Sequence, residues 1–313
     1  MKPMTLKFSA LAIGLAALIG YQTSALASET PSAATAAASS TQQDNQGLKT
    51  QVFNPGEKAI FAVSSVLIEG KTSAILIDAQ FSAEQARKLA ELVKASGKTL
   101  TEIYISHGDP DFYFGLETLH KAFPAAKIVA TPQTIAHIKA TKDEKLKIWG
   151  PKLGDNAPSN IIVPEPLQGH HLSLDGQHIQ IVGLDGPTPD RTFLWIPSIK
   201  TVVGGIPVAS GKHLWMADTQ TPQSHKDWLN TLEQIKKLSP ERVIPGHFEG
   251  NILPGVEALT FTADYIRAFD EETAKAKNAQ ELINAMKKRY PDLKGESALE
   301  LSAKVAKGEM TWK

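Results

Sequence analysis

Ser106-His107-Gly108-Asp109-Pro110-Asp111-Phe112, directly behind the alternating run Thr101 to Ile105, brings one imidazole and two carboxylates within five residues. Side chains two apart in an extended chain point the same way, so a tight loop leaving a strand can aim His107, Asp109 and Asp111 at one point. Imidazole nitrogen with carboxylate oxygen is a donor set for zinc, manganese or iron and needs no soft ligand. The same residues also suit a plain turn, Asp109-Pro110-Asp111 having turn composition and His107 capping it.

Upstream of this loop, Phe61 to Ile68 and Ser73 to Ile77 are apolar, partly β-branched runs joined by Glu69-Gly70-Lys71-Thr72, which predicts a hairpin. A helix follows: Ser82 with Gln85 makes a capping-box pattern, Leu89, Leu92 and Val93 share one face, and Gly97 ends it. Downstream, the pattern predicts a short helix over 116–123, a strand over 127–130 and a helix over 133–142. The second half repeats these elements in another order. Leu172 to Leu174 and His178 to Val182 flank the hairpin turn Asp175-Gly176. Strands over 192–196 and 201–203, a helix over 228–238 and a short strand over 242–244 come next. The tail from Val256 is helical, broken at Tyr290-Pro291. Two mixed halves of this kind form packed sheets with helices outside.

The first residues read as an address. Lys2 and Lys7 give a basic start, Phe8 to Gly20 is an apolar run short for a bilayer, and Ala25-Leu26-Ala27 is a small-residue cleavage pattern. Residues 1–27 are therefore expected to be a secretory signal peptide, the protein periplasmic or secreted, with no stable membrane insertion after cleavage. Removing 27 residues from 313 leaves 286, and because Lys2 and Lys7 are the only charged side chains lost, the formal balance moves from zero to −2. Near-neutral charge without basic blocks argues against nucleic acid as a partner. There is no cysteine, so neither disulfides nor thiolate ligands are available. Residues 28–48, rich in Ala, Ser, Thr and Gln, cannot bury enough apolar surface to offset their ordering entropy and read as a linker.

The order hairpin, helix, strand, His/Asp loop, with Ile244-Pro245-Gly246-His247 behind a later strand, resembles the metallo-β-lactamase superfamily. The resemblance implies an α/β fold, a four-layer αββα sandwich over residues 49–265, with a C-terminal helical extension over 266–313. In that family the first loop reads His-x-His-x-Asp-His with glycine three residues on. His107, Asp111 and Gly115 match; Asp109 and Phe112 stand where two histidines would. The family's Gly-His-Thr-Pro segment is Gly186-Pro187-Thr188-Pro189 here, with Asp185 as a substitute ligand. Its bridging Gly-Asp pair is Gly204-Gly205, and Asp78 fits its loop aspartate, a structural residue.

The implied metal ligands are therefore His107, Asp109 and Asp185 with a water, while Asp111 and His247 remain of a second site. One zinc ion is implied in preference to two, with manganese or iron as alternatives, and Asp111 is the catalytic residue that orients the metal-bound water. Phe112→His with Gly205→Asp would, on this alignment, rebuild a second metal position. The implied function is an exported metal-dependent hydrolase acting on a small ester, lactone or related molecule. The alternative, motivated by Phe112, Pro187 and Gly205, is a degenerate member that binds a ligand or partner without turnover; fold alone does not choose. His213, Trp215 and Asp218 either line the pocket mouth or form a loop packed by Trp215. His170-His171 are adjacent in a strand, point to opposite faces and do not form a metal pair.

Overall fold

The computed structural model describes residues 47–312. The expected signal peptide (1–27) and nearly all of the expected linker (28–48) lie outside the described residues. Six strands form the first sheet in chain order: β1 (Lys49–Phe53), β2 (Ser65–Glu69), β3 (Ser73–Ile77), β4 (Thr99–Ile105), β5 (Lys127–Ala130) and β6 (Glu165–Pro166). β1, β2 and β3 run antiparallel, and β3 to β6 parallel. The remaining strands are β7 (His171–Leu174), β8 (Gln177–Val182), β9 (Phe193–Ile196), β10 (Thr201–Val203), β11 (Ala209–Ser210), β12 (Arg242–Val243) and β13 (His247–Phe248). Five of them make a second sheet in the order β12-β10-β9-β8-β7, and β11 pairs with β13. The helices are α1 (Ala83–Ala95), α2 (Pro110–Tyr113), α3 (Leu116–Ala122), α4 (Pro132–Leu153), α5 (Pro222–Lys237), α6 (Glu257–Lys275), α7 (Ala279–Arg289) and α8 (Glu296–Ala306).

Alternation along the strands sets the layers, because successive side chains leave a strand on opposite faces. On β3, Ile75 and Ile77 enter a buried cluster between the sheets, where Ile179 and Ile181 of β8 and Leu194 and Ile196 of β9 meet them. Ala74 and Leu76 point the other way, against Leu89 and Val93 of α1 and Leu116 and Leu119 of α3. On β9, Phe193 and Trp195 leave the inter-sheet core for a third cluster with Trp228 and Leu232 of α5 and Tyr265 and Phe269 of α6. This is the expected αββα sandwich. The C-terminal helices belong to the same third cluster through Leu282, Met286 and Leu299.

Two elements differ from the sequence reading in ways that matter for the site. β1 pairs with β2 immediately after the expected linker, where the sequence predicts no strand. α4 does not stop near Lys142 but runs 22 residues to Leu153. Lys142-Asp143-Glu144-Lys145 interrupts the apolar periodicity without interrupting the backbone, because charged residues remain good helix formers. Thr131 caps the helix, accepting from Thr134 N at 3.1 Å. Along α4, His137, Thr141, Lys145 and Trp149 recur every four residues and so share one face.

Candidate active-site pocket

The loop behind β4 is fastened before it is functional. Asp78, directly after β3, adopts φ 64° and is fully buried. Its Oδ1 accepts from Ser106 N at 2.8 Å and its Oδ2 from Ser106 Oγ at 2.6 Å, while Ser106 Oγ accepts from Gly205 N at 2.7 Å. Three strand ends are thereby tied together. Burial lifts the Asp78 carboxyl to about 7, against the lowering effect of the Ser106 hydrogen bonds.

Asp109 is the centre of a first cluster. His107 Nε2 lies 3.2 Å from Asp109 Oδ2, and Lys145 Nζ lies 3.4 Å from Asp109 Oδ1. His137 Nε2 is 4.0 Å from that same Oδ1 and is a buried atom without a hydrogen-bond partner. Gly108 is what lets His137 approach: a Cβ there would lie 2.5 Å from the His137 ring. Burial works against the charge of His107, but the neighbouring Asp109 carboxylate outweighs it and raises the imidazole pKa. Burial likewise opposes the charge of Asp109, but His107 first, then Lys145 and His137, hold its carboxyl far below the usual range. His107 Nδ1 meets the Asp190 carbonyl at 3.3 Å.

Asp111 and His247 form the second pair. α2 carries Asp111, β13 carries His247, and His247 Nε2 lies 2.6 Å from Asp111 Oδ2. Phe112, fully buried, stands edge-on between the two clusters, its ring 5.2 Å from that of His107 and 5.3 Å from that of His247. A phenyl ring thus fills the space at which a further imidazole ligand would be needed.

Both carboxylates open onto one pocket, with Lys145 and Lys212 as its ammonium groups and Phe61, Trp149 and Trp215 among its apolar walls. Burial lowers the Lys212 pKa, with Asp111 acting in the opposite sense. Trp312, beyond α8, closes one side. Its indole N–H donates to Asp218 Oδ1 at 2.7 Å, its ring meets Trp215 at 5.3 Å, and Lys145 Nζ sits 5.3 Å from its centroid. His213 lines the pocket too, but its Nδ1 pairs with Tyr265 Oη at 2.9 Å, and burial pushes its pKa down to about 4.

The structure lines this pocket with Asp109, Asp111 and His247, sets the buried His107 against Asp109 without lining the pocket itself, and leaves Asp185 outside. Asp185 is exposed in a turn closed by Gly186 N to Gly183 O at 3.0 Å, and it borders a surface cleft with His170, His171 and His178. The segment reaches the site through the Asp190 carbonyl instead. Gly205 also departs from expectation. With φ 74°, and with a Cβ falling 2.0 Å from the Thr192 carbonyl oxygen, the position does not accept an aspartate, so Gly205→Asp cannot rebuild a second metal site. His137 and Lys145 are absent from the sequence-derived set. Their four-residue spacing with Thr141 and Trp149 was the available signal.

These residues do not fit a resident metal ion. Among the described residues, no three His, Asp or Glu side chains converge to hold one. Two ligands about 2.1 Å from a tetrahedral zinc stand roughly 3.4 Å apart, whereas Asp111 and His247 are in direct contact at 2.6 Å. Asp109 already faces His107, Lys145 and, at 4.0 Å, His137, and Asp185, the third expected ligand, is elsewhere.

Known proteins place the chain independently. The family described as the metallo-beta-lactamase superfamily matches residues 60–247, more than half of the chain. A metallo-beta-lactamase family protein of Thermus thermophilus is 16% identical, with 83% of this chain and 93% of that one covered, at a TM-score of 0.58. A beta-lactamase domain protein from Burkholderia ambifaria is 15% identical, covering 82% and 84% at 0.58. The DIM-1 metallo-beta-lactamase is 20% identical, covering 70% and 92% at 0.51. No curated protein matches the chain significantly. Superfamily membership points to hydrolase-type chemistry on a small molecule, and no helix among the described residues is long and apolar enough to cross a membrane. The paired sheets, the loop behind β4, His247 behind the last core strand and the matched span agree: the chain belongs to the metallo-β-lactamase superfamily.

Proposed function

We propose that the protein is an exported hydrolase of a small, largely apolar ester or lactone, working with acid–base groups of its own chain. The observation that carries this reading is the pocket itself, in which an Asp111–His247 pair and the Lys212 ammonium face one space under aromatic walls. A water attacking the substrate carbonyl would give its proton to the Asp111–His247 pair. The oxygen that gains negative charge would be stabilised by the Lys212 ammonium, Lys145 being engaged by Asp109. Collapse of the tetrahedral species breaks the C–O bond, and the same proton returns to the leaving alkoxide. Export is supported by the basic start, apolar run and Ala25-Leu26-Ala27, and predicts a mature protein beginning at Ser28.

A second reading, ligand binding without turnover, is favoured by one observation: Asp109 and Asp111 both already have basic partners. One experiment separates the two. Mature protein is assayed against aryl esters, lactones, a phosphodiester and a β-lactam, with and without chelator. The hydrolase reading expects ester or lactone turnover that survives the chelator and falls about 100-fold or more in Asp111→Asn. Binding of panel members without turnover establishes the second reading, and turnover that requires added metal contradicts the proposed chemistry.

A further inference from the structure

We infer that Lys145 takes the place of a metal ion, its ammonium sitting among the donors that would otherwise bind a cation. Three candidate donors gather at Asp109, the carboxylate that Lys145 engages. Asp109 Oδ1 is 3.4 Å from Lys145 Nζ, His137 Nε2 is 4.0 Å from that oxygen and has no partner, and His107 Nε2 is 3.2 Å from the other oxygen of the same carboxylate. His107 Nδ1 faces the Asp190 carbonyl at 3.3 Å, the arrangement by which a metal-binding histidine fixes its ring and turns Nε2 toward the ion. The donor types are those of a cation site; with Lys145 in place they do not converge to hold an ion, and the cation within reach is a side chain.

The location of Lys145 argues against an incidental surface ion pair. It is 8% exposed, carried on the α4 face that also presents His137, and covered by Trp312 at 5.3 Å. A buried ammonium is costly without a countercharge; Asp109 supplies one, and the indole face adds a cation–π contact. The carboxylate is in turn neutralised without an ion. Phe112 and Gly205 fit the same account from the neighbouring position, where a ring and a backbone carbonyl exclude the groups a second ion would require.

The inference does not depend on what the pocket hydrolyses, and metal content tests it directly. Mature wild-type protein, Lys145→Ala, Lys145→Met, Lys145→Arg and Lys145→Ala/Asp109→Asn are incubated with zinc, desalted and analysed by mass spectrometry for bound metal. Wild type and Lys145→Arg are expected to remain substoichiometric. Lys145→Ala, or Lys145→Met where alanine prevents folding, is expected to retain about one zinc per chain, and its thermal midpoint to rise with zinc. The added Asp109→Asn is expected to abolish that gain. Stoichiometric zinc in the wild type overturns the inference, and so does a folded Lys145→Ala or Lys145→Met that stays as metal-poor as the wild type.

Discussion

Replacing Gly205 by alanine tests the frame that holds the site. Gly204 and Gly205 follow β10 with φ 69° and 74°, and a Cβ on Gly205 would lie 2.0 Å from the Thr192 carbonyl oxygen and 3.0 Å from Pro207 Cδ. Ordinary contact begins at 3.4 Å, so the carbonyl would have to retreat by the difference. Thr192 is fully buried at the head of β9. The left-handed conformation costs an L-residue roughly 1–2 kcal/mol, and overpacking a filled site adds roughly 1–3 kcal/mol. Gly205→Ala should therefore lose roughly 2–5 kcal/mol in urea unfolding, read as a lower midpoint with an unchanged slope. Gly97→Ala is the control, with φ 68° and nothing within 4 Å of the added atom, and should show only the conformational part. If the two variants differ by less than about 0.5 kcal/mol, within ordinary surface variation, the close approach of Gly205 to β9 is refuted.

Other expectations follow from single contacts. His213 is held neutral, with a pKa of about 4 against 6.5 in the unfolded chain, so the unfolded state binds more protons between those values and stability falls as pH drops through that window, by up to about 3 kcal/mol. His213→Gln should flatten this part of the pH–stability curve, and an unchanged slope would contradict the assignment. Phe112→Ala should destabilise by about 3–5 kcal/mol, because the ring is fully buried between two imidazoles; a loss below about 1 kcal/mol would mean that the site collapses freely. Trp312→Ala removes the Asp218 hydrogen bond and the cover over Lys145. It should weaken ligand binding in the pocket by about tenfold, through loss of one part-buried hydrogen bond and a cation–π contact that hold this wall in place, and equal affinity in calorimetry would place Trp312 outside the binding surface.

The sandwich was legible because its signals are local and periodic. The hairpin turn at Glu69 to Thr72, the Ser82 cap with Gln85 and the alternation in β4 each specify their element without tertiary help. β1 was not legible. Lys49-Thr50-Gln51-Val52-Phe53 has little apolar alternation, and it is a strand because β2 offers it an edge. In the site, His107, Asp109, Asp111 and His247 could be read from spacing and resemblance. Lys145 could not, since it lies 36 residues from Asp109 in a charged run that reads as a solvated helix end. Asp185 illustrates the opposite failure. A carboxylate near the position of a missing histidine is a plausible ligand in sequence, but the Gly183 to Gly186 turn presents it to solvent.

The most direct test of the central claim, that the chain's own cations occupy the family's metal position, is an anomalous-difference map at the zinc edge from crystals grown with zinc. The expected result is no peak at the Asp109 cluster and Lys145 Nζ within ion-pair distance of Asp109, as at 3.4 Å here. A zinc peak flanked by His107 and Asp109, with Lys145 turned away, would contradict it.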